Sequence, residues 1–338
     1  MSKPIVTGIL SYGMSGRLFH APFIETSPHF KLKAIVERHE KKAQKKYPNV
    51  LSYNTTDELI NDDEIELIIV NTPGNTHFDY AKQALLKGKH VLIEKPITPT
   101  LEQARILFDL GRAVDRKVMV YQNRRWDSGF VSFKEVIESG KLGELIEVHI
   151  RMDRYKANIG PKKFKETKSI PASGTLFDLG PHLIDNAIAL FGRPLSMDKV
   201  TATHRQNSEV VDYFHIRLAY PNQLQVFLTG SLLSAEPLAA FVAIGSLGTF
   251  VKNRSDVQED QLNADMLPTD PAYGVEPECS EGKLVTMGPD NERTVEWTPS
   301  IKGNYHHLFD AVYHTIRLNA LFPVAEEHII WQMELLEK

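Results

Sequence analysis

The chain has 338 residues, 42% hydrophobic and 24% charged, which is ordinary for a globular protein and long enough for two domains. Its 43 acidic against 39 basic residues leave a formal charge of −4, which speaks against a nucleic-acid binder held by a basic face. A lone cysteine, Cys279, excludes a disulfide framework, and no apolar run nears the roughly 20 residues of a membrane-spanning helix. The opening MSKPIVTGIL lacks the apolar core and cleavage site of an export signal, so the expected compartment is the reducing cytoplasm.

In chain order, the first third alternates short apolar runs with helical patterns. Strands are expected at 5–10, 32–36, 51–53, 66–71, 90–93 and 118–121, and helices at 16–26, 41–47, 57–61, 76–87 and 101–114. Thr56 is expected to cap the third of these helices, and Gly88 to stop the fourth. Near-continuous apolar strands between helices predict a doubly wound α/β Rossmann domain with a parallel sheet, residues 1–122. The rhythm then changes. A helix near 130–138 is followed by long alternating strands at 144–153, 213–220 and 223–228 and a hairpin-like stretch at 239–251. In the first of these strands Ile146, Val148, Ile150 and Met152 share one face. Residues 123–338 therefore read as an α+β domain with an open, mostly antiparallel sheet. Final helices at 304–319 and 325–338 have the length to pack back on the first domain.

After the first strand comes Ser11-Tyr12-Gly13-Met14-Ser15-Gly16, a variant of the G-x-G-x-x-G dinucleotide fingerprint with serine at its first position. Gly13 suits close approach of a pyrophosphate, and Gly16 suits close packing of helix on strand. Glu37 closes the second strand, 21 residues after Gly16, where an acceptor for a ribose hydroxyl belongs. The cofactor is NAD or NADP. Glu37 favours NAD, whereas Arg38, backed by Lys41 or Lys42, holds a 2′-phosphate if Glu37 turns away. The basic run Arg38–Lys46 otherwise reads as a solvated helix face.

Ligands of open α/β sheets gather at the carboxyl ends of the strands. Those ends read Asn71-Thr72-Pro73-Gly74-Asn75-Thr76-His77, Glu94-Lys95-Pro96 and Tyr121 through Asp127. Farther along, Ser173 through Asp185 contains Asp178, Pro181 and His182; proline suits a first helical turn, so Asp178 is expected just before the helix and His182 on its first turn. Taken singly, each has a structural reading. Lys95 suits a strand-end surface lysine, and Asp178 and His182 suit helix caps.

In combination and order, the glycine loop, EKP and D-x-G-x-H resemble the Gfo/Idh/MocA oxidoreductases over nearly the whole chain. The closest likeness is to a branch with FHAP (Phe19 to Pro22), QNRRWD (Gln122 to Asp127) and DRY (Asp153 to Tyr155), which contains NADP-dependent scyllo-inositol dehydrogenases. The resemblance implies catalysis by Lys95, Asp178 and His182. It implies cofactor contacts from Ser11, Tyr12, Gly13, Met14, Gly16, Glu37 and Arg38, and from Asn71, Thr72, Pro73, Asn75, His77 and Glu94. Asn123, Arg124 and Trp126 resemble a nicotinamide-side junction. Arg154 and Tyr155 would join Lys95, Asp178 and His182 at a sugar or polyol substrate. Lys163 and Phe164 stand where relatives often carry tryptophan.

The chemistry fits this assignment. Oxidising a secondary alcohol needs a base for the hydroxyl proton, and imidazole serves near neutral pH. A lysine ammonium stabilises the developing alkoxide. The expected enzyme is an NAD(P)-dependent dehydrogenase of a sugar, polyol or inositol; the alternatives are a non-catalytic dinucleotide sensor and an NAD-dependent redox glycosidase. No histidine spacing predicts a metal site. The expected partners are a small-molecule substrate and a second copy of the chain, paired through the open sheet with His149, Arg151, Gln225 and Phe227 facing outward. Nucleic acid and membrane are not expected partners.

Overall fold

The computed structural model describes residues 3–161 and 163–338, with Lys163 and Phe164 described by backbone alone, so their expected departure lies outside the described side chains. The chain forms two compact units. One comprises the residues up to Gln122 with Glu259–Tyr273 and Tyr305–Ile330; the other comprises Asn123–Gln258, Gly274–Asn304 and Trp331–Lys338.

In the first unit, β1 (Ile5–Ile9), β2 (Phe30–Val36), β3 (Leu51–Tyr53), β4 (Leu67–Val70), β5 (His90–Glu94) and β6 (Val118–Tyr121) form a parallel sheet. Among the described residues its order is β3-β2-β1-β4-β5-β6. Every residue of β1 and β4 is buried, as a sheet covered on both faces requires. Strand order reverses between β1 and β4, which opens a crevice at their carboxyl ends. The intervening helices are α1 (Ala21–Thr26), α2 (Ala43–Lys46), α3 (Thr56–Ile60), α4 (His77–Leu86) and α5 (Leu101–Ala113). A π-type turn, Gly16–His20, precedes α1. The cap of α3 is Thr55 rather than Thr56. Its hydroxyl accepts from Glu58 N at 3.2 Å while Glu58 Oε2 reaches back to Thr55 N, a capping box that needs Glu three residues on.

The later helix His306–Arg317 belongs to this unit because its apolar face is aromatic and finds aromatic partners there. Phe309 stacks on Phe23 at 5.1 Å and Tyr313 on His29 at 4.0 Å. Arg317 pairs with Glu66 at 2.9 Å.

The second unit contains α6 (Ser128–Glu138), β7 (Leu145–Asp153), α7 (Lys163–Glu166) and α8 (Gly174–Phe191). Then follow β8 (Ser196–Ala202), β9 (Tyr213–Ala219), β10 (Gln225–Ser231), β11 (Phe241–Gly245), β12 (Gly248–Lys252), β13 (Gly282–Met287) and β14 (Arg293–Thr298). Among the described residues these strands form one sheet, β14-β13-β12-β11-β7-β10-β9-β8, antiparallel except for the β7–β10 pair. Val148, Ile150, Phe214, Ile216, Val226 and Leu228 are fully buried on the inner face, each worth about 1.5–3 kcal/mol of burial. Strands β8, β13 and β14 escaped the sequence reading. Few of their residues are buried, so they carry little of the apolar alternation that marks a half-buried strand.

Candidate functional site

The glycine loop leaves β1 and turns directly into a helix. A Cβ on Gly16 would stand 2.0 Å from the Ser11 carbonyl oxygen and 2.9 Å from Asn71 Nδ2, so only glycine lets helix and loop close together there. Ser11, in place of the first glycine, accepts from Gly13 N through its hydroxyl at 3.2 Å and ties the turn. Tyr12 and Gly13 follow the strand, and Met14, 48% exposed, begins the helical turn. Asn71, at the end of β4, donates to the Ser11 carbonyl at 2.8 Å and to Ser15 Oγ at 3.3 Å. Its Oδ1 is buried without a hydrogen bond among the described residues, an acceptor suited to a ligand donor. A cradle that excludes Cβ and a waiting buried acceptor fit a dinucleotide.

Glu37, expected as an acceptor for a ribose hydroxyl, is engaged within the protein. It is 7% exposed; Oε1 accepts from Lys42 N at 2.8 Å and Ala43 N at 3.1 Å, and Oε2 from Ser52 Oγ at 2.8 Å. The reason is local. Helix α2 starts a few residues after the strand, and its first N–H groups have no intrahelical acceptor. Lys41 is also committed, donating to the carbonyls of Glu37, Ser52 and Tyr53 at 2.7–3.2 Å. Lys42 pairs with Glu40 at 2.6 Å, and Arg38 is exposed.

At the next strand ends, Thr72 and Thr76 join hydroxyls at 2.7 Å, while Pro73 and Asn75 are exposed in the turn. His77 is buried, with Nδ1 2.8 Å from the Pro96 carbonyl and Nε2 2.8 Å from the Thr72 carbonyl. It therefore clamps the loop after β4 to the turn after β5, and does not present its ring outward. Burial pulls the ring below the ordinary imidazole pKa, against the opposing pull of the two carbonyls and Glu94.

Lys95 follows β5 in a cis Lys95–Pro96 turn and is partly exposed. Glu94 beside it lies 2.9 Å from His20 Nε2. Burial alone would raise the Glu94 carboxyl, but the His20 hydrogen bond with the charges of Lys95 and His77 holds it below the usual carboxylate range. His20 is fully buried against Tyr121, ring centroids 4.4 Å apart, and the Tyr121 hydroxyl donates to Phe19 O at 2.9 Å. The FHAP segment is thus the underside of the EKP turn, a connection that residue type alone does not show.

The second unit holds the other predicted residues. Helix α8 begins at Gly174, so Asp178 lies inside it and Pro181 is internal, contrary to the expected start at Pro181. Gly174 has φ +81°, and Thr175 N donates to Val211 O at 2.7 Å, which starts the helix early. Thirteen buried residues along α8 outweigh the single hydrogen bond that proline removes. Asp178 and His182 are consequently one turn apart on one helix face. Asp178 pairs with Lys165 at 2.7 Å. Lys165, missed in the sequence, sits on α7, which is fixed by Glu166 to buried Arg205 at 2.8 Å. That contact is long-range and leaves no local signal.

Arg124 pairs with Asp127 at 3.1 Å and lines a small cleft with Asp127, Arg151, Asn186, Arg254 and Asp256. Arg125 makes a two-pronged bond to Asp185, 2.8 and 2.7 Å. Asn123 is buried, and the Trp126 carbonyl accepts from Gln258 Nε2 at 3.0 Å and from Asn304 N. Arg154 exchanges backbone bonds with Ser231 and Ser234, leaving Tyr155 64% exposed. Among the described residues, no group of three His, Cys, Asp or Glu side chains is arranged to hold a metal ion, and no helix is long and apolar enough to cross a membrane.

Residues 5–122 match the model of an oxidoreductase family with an NAD-binding Rossmann fold, GFO/IDH/MocA, and residues 130–251 match the GFO/IDH/MocA C-terminal domain. The uncharacterized oxidoreductase YdgJ of Escherichia coli is 38% identical, covering 100% of this chain and 96% of that protein. The scyllo-inositol 2-dehydrogenase (NADP(+)) IolW of Bacillus subtilis is 34% identical, covering 98% and 92%. The solved structure of an oxidoreductase from Bacillus cereus superposes with TM-score 0.89 at 31% identity, covering 98% and 95%. The fingerprint crevice and these likenesses agree: the chain belongs to the GFO/IDH/MocA family and is an NAD(P)-dependent oxidoreductase.

Proposed function

We propose that the chain interconverts a secondary alcohol and a ketone on a sugar, polyol or inositol, with Lys95, Asp178 and His182 as its catalytic residues. The observation that carries this reading is the placement of Asp178 and His182 one turn apart on one face of a largely buried helix, in a chain of the NAD-binding oxidoreductase family that also carries Lys95 at a strand end. The inositol dehydrogenase relative supports the substrate class. When bound, nicotinamide accepts or returns the hydride. His182 takes the hydroxyl proton as the C–H bond yields its electron pair and the C–O bond becomes a carbonyl. Lys95 stabilises the alkoxide as it develops, and Asp178 orients substrate hydroxyl or imidazole. Arg154 and Tyr155 contact the remaining hydroxyls.

The test is nicotinamide reduction over a panel of inositols and aldoses, with NAD and NADP in parallel. Turnover of one polyol is expected, falling about 100- to 1,000-fold in Lys95→Ala. Tight cofactor binding with no turnover on any member, or an unimpaired Lys95→Ala, sinks the proposal. We also infer a homodimer through the outer face of the second unit's sheet, and a cytoplasmic location, which the single cysteine supports.

A further inference from the structure

Helix α7 has four residues, too few to stand by itself, and the fold holds it through charge. Glu166 Oε2 accepts from Arg205 Nη2 at 2.8 Å, and its Oε1 accepts from Arg205 Nη1 at 3.3 Å and from Gly160 N at 3.1 Å. Arg205 is buried and continues to Asp212 at 3.3 Å, whose carboxylate also accepts from His204 N and Arg205 N. The same connection reaches α8, where Thr175 N donates to Val211 O at 2.7 Å. A Cβ on Gly174 would stand 3.0 Å from that oxygen. Helix α7, the connection from β8 to β9 and the start of α8 therefore form one block.

Lys165 stands at the open end of this block. Its Nζ lies 2.7 Å from Asp178 Oδ1, and the two side chains are 41% and 30% exposed, whereas those of Arg205 and Asp212 are buried. Among the described residues this is the one hydrogen bond of an ammonium that has three donors. A pair this exposed adds little stability, and Glu166 already fixes α7. Asp178 shares its helix face with His182, one turn farther on. A donor and an acceptor, held by the fold and open to a ligand, thus stand one turn from the proposed base.

We infer that Lys165 is a specificity-determining residue: with Asp178 it binds the two hydroxyls next along the substrate from the reacting one, Nζ donating to one oxygen and the Asp178 carboxylate accepting from the neighbouring hydroxyl. A hydroxyl both donates and accepts, so an ammonium paired with a carboxylate matches two hydroxyls on adjacent carbons. The preferred substrate is then a contiguous polyol and not an isolated secondary alcohol. This rests on the dehydrogenase reading above and deepens it.

The experiment is steady-state kinetics of the full chain on scyllo-inositol, myo-inositol and glucose and on monodeoxy analogues of each, with NAD and NADP in parallel. Wild type is expected to favour one polyol over the analogue lacking the neighbouring hydroxyl by at least about tenfold in kcat/KM, because the analogue leaves a charged group unmatched. Lys165→Met is expected to cut that ratio about tenfold, by raising KM for the polyol more than it lowers kcat. Lys165→Arg keeps the cation and its pairing with Asp178 and is expected to retain part of the ratio. A tie that only held α7 would act on polyol and analogue alike. Equal loss on both, or an unchanged ratio, in Lys165→Met overturns the inference; Lys165→Gln is read in the same way should Lys165→Met fail to fold. Wild type that turns over a polyol and its analogue equally well also overturns it. No turnover of any probe by wild type overturns the dehydrogenase reading itself, and this inference with it.

Discussion

Glu94 and His20 form a buried pair directly before Lys95, with the carboxylate held on its charged side by imidazole, Lys95 and His77 despite the opposing effect of burial. A carboxyl whose folded pKa is depressed stabilises the fold fully above its unfolded value of about 4.5, and that contribution is lost as pH falls below it. Glu94→Gln is therefore expected to lose about 1–2 kcal/mol of stability at pH 7, with the gap from wild type narrowing below pH 4.5, as read by urea denaturation at both pH values. A gap that does not change with pH would show that the carboxylate contributes by packing alone. At this scale the sequence was legible as residue types. Lys95, Asp178 and His182 were nameable from motif order, but Glu37's cap, His77's clamp and Lys165's pairing depend on backbone groups and side chains brought in by the fold.

The element that positions the cofactor crevice is the turn from β1 into the helix beginning near Gly16. Its geometry leaves no room for Cβ, because the nearest obstacle is the backbone carbonyl of Ser11 and not a yielding side chain. Gly16→Ala is expected to cost about 1–3 kcal/mol of stability and at least about tenfold in cofactor affinity, measured by denaturation and titration together. Unchanged affinity at wild-type stability would show that the loop opens freely. Helix α8 teaches a different lesson about elements. Proline at 181 argued for a helix start, yet tertiary burial along Gly174–Phe191 sustains a helix through it, and Asp178 moves from cap to helix face. That shift puts Asp178 and His182, four residues apart in the chain, on one helix face.

For the whole molecule, the second unit's sheet presents Val200, His215, Phe227, His149, Val242, Val251 and Trp297 on the face opposite its core. His149 stacks on Phe227 at 4.9 Å, and Trp297 is 62% exposed. These aromatic and aliphatic side chains stand among charged ones such as Arg151, Arg217 and Lys283, a mixed face of the kind the proposed dimer would cover. Sedimentation is expected to give twice the chain mass at micromolar concentration, shifting toward monomer in Phe227→Asp. A monomer at every concentration would remove the dimer from the proposal.

Continuous apolar runs separated by helical patterns decided the first unit's parallel sheet from sequence alone, because a sheet covered on both faces buries most of its strand residues. Period-two alternation decided the face of β7 in the same way. Glycine spacing marked the close turn from β1 into the helix, since a Cβ at Gly16 would stand 2.0 Å from the Ser11 carbonyl oxygen. Tertiary structure decided what remained: the placement of His306–Arg317 in the first unit, the outer strands β8, β13 and β14, the length of α8, and the direction of Glu37. Each of these depends on contacts between residues far apart in the chain or on unsatisfied N–H groups that exist only once a helix has formed, and neither leaves a periodic mark in the sequence.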